Sequence, residues 1–319
     1  MRPEARPAPR SPAPPQRPGT PTAPALPQAD DPARGIPLIL AAVTVFSVSD
    51  ALAKHLGQSL PPVEVAWMRY AAFLLLTLAP ALRGGGSAVR SKAPALQVLR
   101  GLALVGSALS FMAALRFLPL AEATAINFVS PVFITALSIP ILGEAVGVRR
   151  WAAVGVGLAG VLIVVRPGGG DFGAEALLPV LTAASWALAV VATRKMAGAD
   201  RPATTLFWSA AVGFAVLSFV LPFDFVAPTA GQVGLGLLLG LIATAGQWLI
   251  VLAYRHAGAS VLAPFSYFQL LSAALLGLFA FGAVPDRWTL VGAAVIAASG
   301  LYTAHRERVR AKERAARRP

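Results

Sequence analysis

At 319 residues, with 56% hydrophobic and only 13% charged residues and a mean hydropathy of +0.69, the chain has more apolar surface than one aqueous core can hide, so lipid is its solvent over most of its length. The formal net charge is +13, but the basic residues sit in tails and short loops between apolar segments, a pattern of membrane topology that argues against nucleic-acid binding. With no cysteine, the chain has no disulfide, thiolate metal site or cysteine nucleophile.

Residues 1–34 hold eleven prolines and five arginines and almost nothing apolar to bury, the composition of a disordered tail. No signal peptide is expected, because the first apolar run begins far from the N-terminus and is about 20 residues long. Ten apolar segments follow, each near the ~20 residues that a helix needs to cross ~30 Å of hydrocarbon. They lie at 37–57, 62–82, 96–116, 120–142, 148–166, 174–194, 203–222, 232–255, 259–281 and 287–304. The final stretch, 305–319, is a basic flank for the inner leaflet.

Loop charge orients these segments. With the N-terminus in the cytoplasm, the inner loops carry Arg83, Arg90, Lys92, Arg100, Arg149, Arg150, Arg194, Lys195, Arg201 and Arg255, against only Lys54, Arg116, Arg166 and Arg287 outside. Ten spans then leave both termini cytoplasmic.

The segment from Leu115 is repeated from Tyr254 with a two-residue gap near Gly147, and the match extends backwards, setting Pro62 on Pro202, Phe46 on Trp186 and Lys54 on Arg194. The unit is therefore five helices, in residues 35–170 and again in 171–304. An odd number of spans turns the second copy upside down in the membrane. The expected fold is an all-α integral membrane protein of ten transmembrane helices arranged as two inverted five-helix repeats, a design suited to alternating access.

Polar residues inside such spans carry the functional information, since an ionisable group there costs about 2.5 to 3.5 kcal/mol on insertion scales. Asp50 and Arg69 each lie about seven residues from the outer end of their spans, roughly 10 Å deep, and are expected to pair, with Lys54 one turn from Asp50 competing or extending the network. Their counterparts in the second copy are Val190 and Ser209. Substrate charge binding, proton coupling and outer gating are the functional readings for these three; an ion pair that only fixes two helices is the structural one.

A second set is duplicated. Asn127 and Ser130 share a helix face in span four, and Ser266 and Gln269 hold the equivalent places in span nine, with Tyr267 at the position of Phe128. Together with Trp186, Gln247, Trp248 and Tyr254 they read as the sparse polar and aromatic lining of a small-metabolite pocket; interhelical hydrogen bonding is the alternative. Pro131, Pro140 and Pro264 are candidate hinges. Gly155, Gly157 and Gly160 in span five and Gly292 to Gly300 in span ten read as close-packing surfaces, with a homodimer contact left open. Arg100 and Arg116 are expected to snorkel.

No P-loop, HExxH or carboxylate cluster is present, and the histidines fall outside the apolar centres. An enzyme, a metal site and a cofactor are therefore not expected. A membrane-embedded enzyme would need a catalytic cluster at one interface; a non-transporting assembly factor is the other rival class.

The chain resembles the EamA-type transporters of the drug/metabolite transporter superfamily over residues 36–304. The resemblance rests on the paired units, on Pro62 followed by Arg69, on Ala121 to Pro131, and on Gly143, Glu144, Arg150, Trp151 and Gly155 to Leu162; Gly282 and Ala283 depart from it. It implies a secondary transporter of the bacterial inner membrane that moves a small metabolite, either an amino acid or a cofactor-like compound, through a central cavity. Import of a cofactor such as riboflavin or S-adenosylmethionine is the narrower alternative. The implied partners are the substrate and the lipid bilayer.

Overall fold

The computed structural model describes residues 32–83, 89–143, 148–166, 173–196, 199–256, 262 and 265–316, and among these it is helical without strands. The helices are α1 (Pro32–Leu56), α2 (Pro62–Arg83), α3 (Pro94–Phe117), α4 (Leu120–Asn127), α5 (Ser130–Leu142), α6 (Val148–Val165), α7 (Leu177–Lys195), α8 (Pro202–Val220), α9 (Ala230–His256), α10 (Phe268–Phe281) and α11 (Arg287–Ala316). Short 3₁₀ turns at Ala174–Ala176 and Leu221–Phe223 precede α7 and follow α8. Among the described residues, six helical segments are long and apolar enough to cross a membrane by themselves; Val154–Val165 and Phe268–Phe281 are shorter apolar helices. Helix formation is what lipid demands, because no water is available there to satisfy a free backbone N–H or C=O.

Two elements differ from the expected spans. The fourth is broken into α4 and α5 at Phe128 and Val129, and its counterpart is interrupted at Tyr267, immediately before α10. The last helix does not stop near residue 304 but continues to Ala316.

Packing follows a regular exchange. The partners are α1 with α9 and α3 with α7; α2 with α9 and α3 with α8; α1 with α10 and α5 with α7; while α2 meets α8 and α6 meets α11. Swapping each helix for its repeat counterpart converts this set into itself. Detail obeys the same exchange. A Cβ on Gly101 of α3 would lie 2.7 Å from Val212 of α8, and one on Gly240 of α9 would lie 2.5 Å from Ala72 of α2. Gly143 and Gly282 end α5 and α10 in the left-handed region at φ 70° and 65°, where a side chain is disfavoured and glycine closes a helix.

Part of the small-residue surface of α6 and α11 is consumed within one chain. A Cβ on Gly160 would lie 3.0 Å from the Gly292 carbonyl oxygen and 3.1 Å from the Ile296 nitrogen, and one on Gly292 would lie 2.6 Å from the Gly160 oxygen. These backbones touch, so this part of the stripe is not available for a homodimer. Gly160→Leu is expected to separate α6 from α11 and to cost about 1 to 3 kcal/mol, the usual range for overpacking, seen as a lower thermal unfolding midpoint in detergent; Gly155→Leu, at a site where an added Cβ meets nothing within 4 Å, should leave the midpoint nearly unchanged.

Candidate functional site

The helix break in α4/α5 is the centre of the polar arrangement. Asn127 ends α4 and Ser130 begins α5, so the pair expected on one continuous helix face instead flanks the interruption. Ser266 and Gln269 flank Tyr267 in the second half in the same way. The two break residues meet: the rings of Phe128 and Tyr267 stand 5.1 Å apart at 30°, a geometry favoured by aromatic pairs. Gly300 makes room for the Tyr267 ring, which a Cβ there would overlap.

Polar atoms beside this stack lack partners. The Oδ1 of Asn127 and the Oγ1 of Thr124, one turn earlier, are buried without a hydrogen bond. Most buried polar atoms are bonded, so two orphans at a helix break form a ready-made acceptor and donor for a ligand or water. Pro131 stands at the start of α5, where its missing N–H costs nothing; the interruption precedes it and Pro131 is exposed. Pro264 and Glu144, like the loop 167–172, lie outside the described residues, as does the side chain of Tyr254.

Trp186 on α7 is 42% exposed although Thr182 and Ala183, on the same side one turn away, are buried. Gln247 and Gln269 are half-buried. Trp248, at 63% exposure, lies on an outer face.

The charged trio departs from expectation. Asp50 is buried at 8% exposure, and Arg69 is half-buried on α2. Their charges act on one another, but among the described residues no ion pair within 4.0 Å joins them. α9 packs against both α1 and α2. Lys54 leaves the trio altogether. Its Nζ donates to the carbonyls of Leu115 at 2.6 Å and Leu118 at 2.7 Å, closing the negative end of α3, and lies 5.7 Å from the centre of the Phe281 ring. Near it a cavity of about 490 Å³ lies between the halves, with His55, Gln58, Phe117 and Phe281 in its wall.

At the opposite end of the bundle a polar cluster was not foreseen. Asp200 accepts hydrogen bonds from the Ser91 hydroxyl, from the Lys92 N–H at 2.8 Å and from Gln97 Nε2 at 2.7 Å. Arg100 does not snorkel outward: it donates to Thr193 Oγ1 at 2.8 Å and to the Ser209 hydroxyl, tying α3 to α7 and α8. The legible signal was Gln97 and Arg100 three residues apart on α3, facing Thr205 and Ser209 four apart on α8. Glu64 was also missed. It is buried at the start of α2, with Oε2 accepting the Val226 N–H at 3.2 Å and Oε1 unpartnered.

The profile of the EamA-like transporter family matches residues 33–166 and 174–303. The S-adenosylmethionine uptake transporter of Rickettsia prowazekii is 28% identical over 86% of this chain and 93% of its own. The riboflavin transporter of Rhizobium johnstonii is 30% identical over 88% and 94%, and the pseudopaline exporter CntI of Pseudomonas aeruginosa is 29% identical over 82% and 93%. A solved crystal structure, 23% identical, shares the fold with a TM-score of 0.59 over 86% of this chain and 98% of that one.

Asp200 supplies a pH test. Burial pushes its carboxyl up, but the Ser91, Lys92 and Gln97 hydrogen bonds and the Lys92 charge outweigh this and hold it below the ordinary carboxylate range. A carboxylate with a depressed folded value stabilises the fold above its unfolded pKa of ~3.9, and that contribution is lost as pH falls through the folded value. Hydrogen-exchange protection factors over residues 89–100 and 199–209, taken relative to the intrinsic exchange rate at each pH, are expected to fall on acidification below pH ~4 in the wild type; Asp200→Ala should show low protection already at neutral pH and no further fall on acidification.

Proposed function

The chain belongs to the EamA-like transporter family, and on that premise we propose that it is a ten-span secondary carrier whose two five-helix halves are inverted about an axis in the membrane plane. It is a membrane transporter of a small metabolite. The observation that carries the architecture is the exchange of helix contacts on swapping halves, with the stacked break residues Phe128 and Tyr267 on the axis. An inverted pair of halves has two energetically similar arrangements, one open to each side, which is what alternating access requires.

The substrate site is the region around the paired breaks. Asn127, Ser130, Tyr267 and Gln269 contribute polar groups from both halves, Trp186 and Gln247 stand on the flanking helices, and the buried orphan atoms of Asn127 and Thr124 await a partner. Helix ends freed at a break are tolerated at membrane depth where they line a cavity, so a broken span beside orphan polar atoms fits a transport site better than a purely structural bundle. The Phe128–Tyr267 stack would part, or re-form around substrate, as the halves rock. Pro131 and Pro264, next to the breaks, are the proposed hinges.

Orientation follows the charge rule. The end bearing Lys54 and the 490 Å³ cavity faces outward and the Asp200 cluster faces the cytoplasm, with both termini inside a bacterial inner membrane. On this reading, the Asp200 and Arg100 networks latch the inner side shut while an outer vestibule stays open. No catalytic role is assigned to any residue. A cofactor-sized or amino-acid-like cargo is supported by relatives named for S-adenosylmethionine, riboflavin and pseudopaline.

Purified protein in liposomes is expected to accumulate at least one of labelled S-adenosylmethionine, riboflavin or an amino acid. Asn127→Ala and Gln269→Ala should each reduce the rate about tenfold or more, with the thermal midpoint preserved; a carrier unaffected by either change would exclude this site. Because the chain has no cysteine, single cysteines test the topology directly: Gln58→Cys should react with an impermeant thiol reagent in intact cells, and Arg90→Cys only after permeabilisation.

A further inference from the structure

Glu64 is out of place for a carboxylate in the first turn of a helix. There an acidic side chain ordinarily stays in water and faces the free N–H groups of its own helix. Glu64 is instead 1% exposed, and among the described residues neither of its oxygens takes a hydrogen bond from α2. Oε2 accepts the Val226 N–H at 3.2 Å, and Oε1 is buried without a partner.

Val226 belongs to the connection between α8 and α9, in which every residue from Pro222 to Ala227 is exposed. Both ends of this strap are anchored. The Asp224 N–H donates to the Leu221 carbonyl at 3.2 Å, and at the other end Thr229 and Gln232 cap α9 reciprocally, the Thr229 N–H donating to Gln232 Oε1 at 2.7 Å and the Gln232 N–H to Thr229 Oγ1 at 3.3 Å. Between the anchors, among the described residues, 225–228 make one hydrogen bond, from Val226 to Glu64. A segment of the second half is thus held down by one carboxylate of the first.

That carboxylate has little to offset a charge. Among the described residues no ion pair within 4.0 Å reaches Glu64. Of the elements packed against α2, the strap brings Asp224, a second carboxylate whose charge acts on Glu64; α8 and the outer half of α9 carry no titratable group; α3 brings Arg116, whose Cγ would lie 3.9 Å from a Cβ on Gly57. On α2 itself Arg69 and Tyr70 follow more than one turn further on. An ionised Glu64 is hydrated with the strap lifted and loses that hydration beneath it. The Val226 bond is stronger to a charged acceptor, but one such bond replaces only part of a carboxylate's hydration. The neutral acid loses far less on burial and keeps Oε2 as an acceptor. Ionisation therefore favours the lifted strap, and protonation the closed one.

We infer that Glu64 is a proton-binding site that fastens the 221–229 strap of the second half onto the first. The proton comes from water at that face, forms an O–H bond at Oε1 and returns to water by the same route. Oε1 is closed to anything larger while the strap is down. That this face is the outer one rests on the orientation proposed above, and the site itself does not. On the carrier reading, external acid tightens the junction of the halves at this end.

The chain has no cysteine, so a nitroxide on Ala227→Cys, in the full chain in lipid nanodiscs, reports on the strap alone. Raising the pH from about 4 to about 8, upward from the ordinary range of a glutamate, is expected to shift the label from an immobilised to a mobile population, their ratio changing by up to about tenfold per pH unit, the slope of one proton. Glu64→Gln, neutral at every pH, should stay immobilised throughout, whereas Glu64→Ala, with no acceptor for Val226, should stay mobile throughout. Asp224→Asn should keep the transition. Each readout is a pH profile of folded protein, so a loss of yield does not mimic it. A wild-type profile that is flat, a transition that survives Glu64→Gln, or one that disappears in Asp224→Asn overturns the inference. In right-side-out vesicles the label should follow the outer buffer with the inner pH held constant; a label that follows the inner buffer instead reverses the proposed orientation and leaves the proton site standing.

Discussion

In hydrocarbon each backbone N–H and C=O must find its partner inside the protein, and the whole arrangement follows from obeying that rule even where two matched helices are interrupted. The long apolar helices satisfy their own backbone. At the breaks the Phe128 and Val129 N–H groups still donate to the Thr124, Ala125 and Ile126 carbonyls, and the Leu270 N–H donates to the Tyr267 carbonyl, while the two break rings stack on one another against the core of the bundle. The interruptions thereby fall in the region proposed for the substrate.

The ends of the bundle divide the remaining polar chemistry. At one, Asp200 gathers three donors and Arg100 bridges to Thr193 and Ser209, which joins residues of both halves. At the other, Lys54, in the wall of a cavity between the halves, secures α3, and Arg166 meets Asp286 at 2.7 Å. On the carrier reading proposed above, breaking one such set of bonds and forming another would be a discrete step, and a modest differential contact with substrate would shift which end is closed.

Much of this was legible from the residues. Hydropathy located the long helices, and the offset between copies put Asn127 opposite Ser266, Ser130 opposite Gln269 and Phe128 opposite Tyr267 before any contact was known. The breaks themselves were not legible. Pro131 suggested a bend, but the interruption lies two residues earlier, because proline tolerates the first turn of a helix and disfavours the α region just before it. Asp50 and Arg69 act on one another through their charges, but among the described residues no ion pair within 4.0 Å joins them: equal depth is a one-dimensional coordinate, and it does not fix how two helices turn toward each other.

Sequence by itself determined the solvent, the family, the repeat and which residues are polar where lipid should exclude them, since hydropathy, charge and duplication are properties of the string. Tertiary structure decided the neighbours. It gave Arg100 to Ser209, turned Lys54 onto the carbonyls of α3, spent Gly160 and Gly292 on a contact within the chain, and packed α9 against both α1 and α2. Partner choice depends on the order in which helices surround one another, and that order is set by close packing of small residues such as Gly101 and Gly240, whose reach no linear pattern contains.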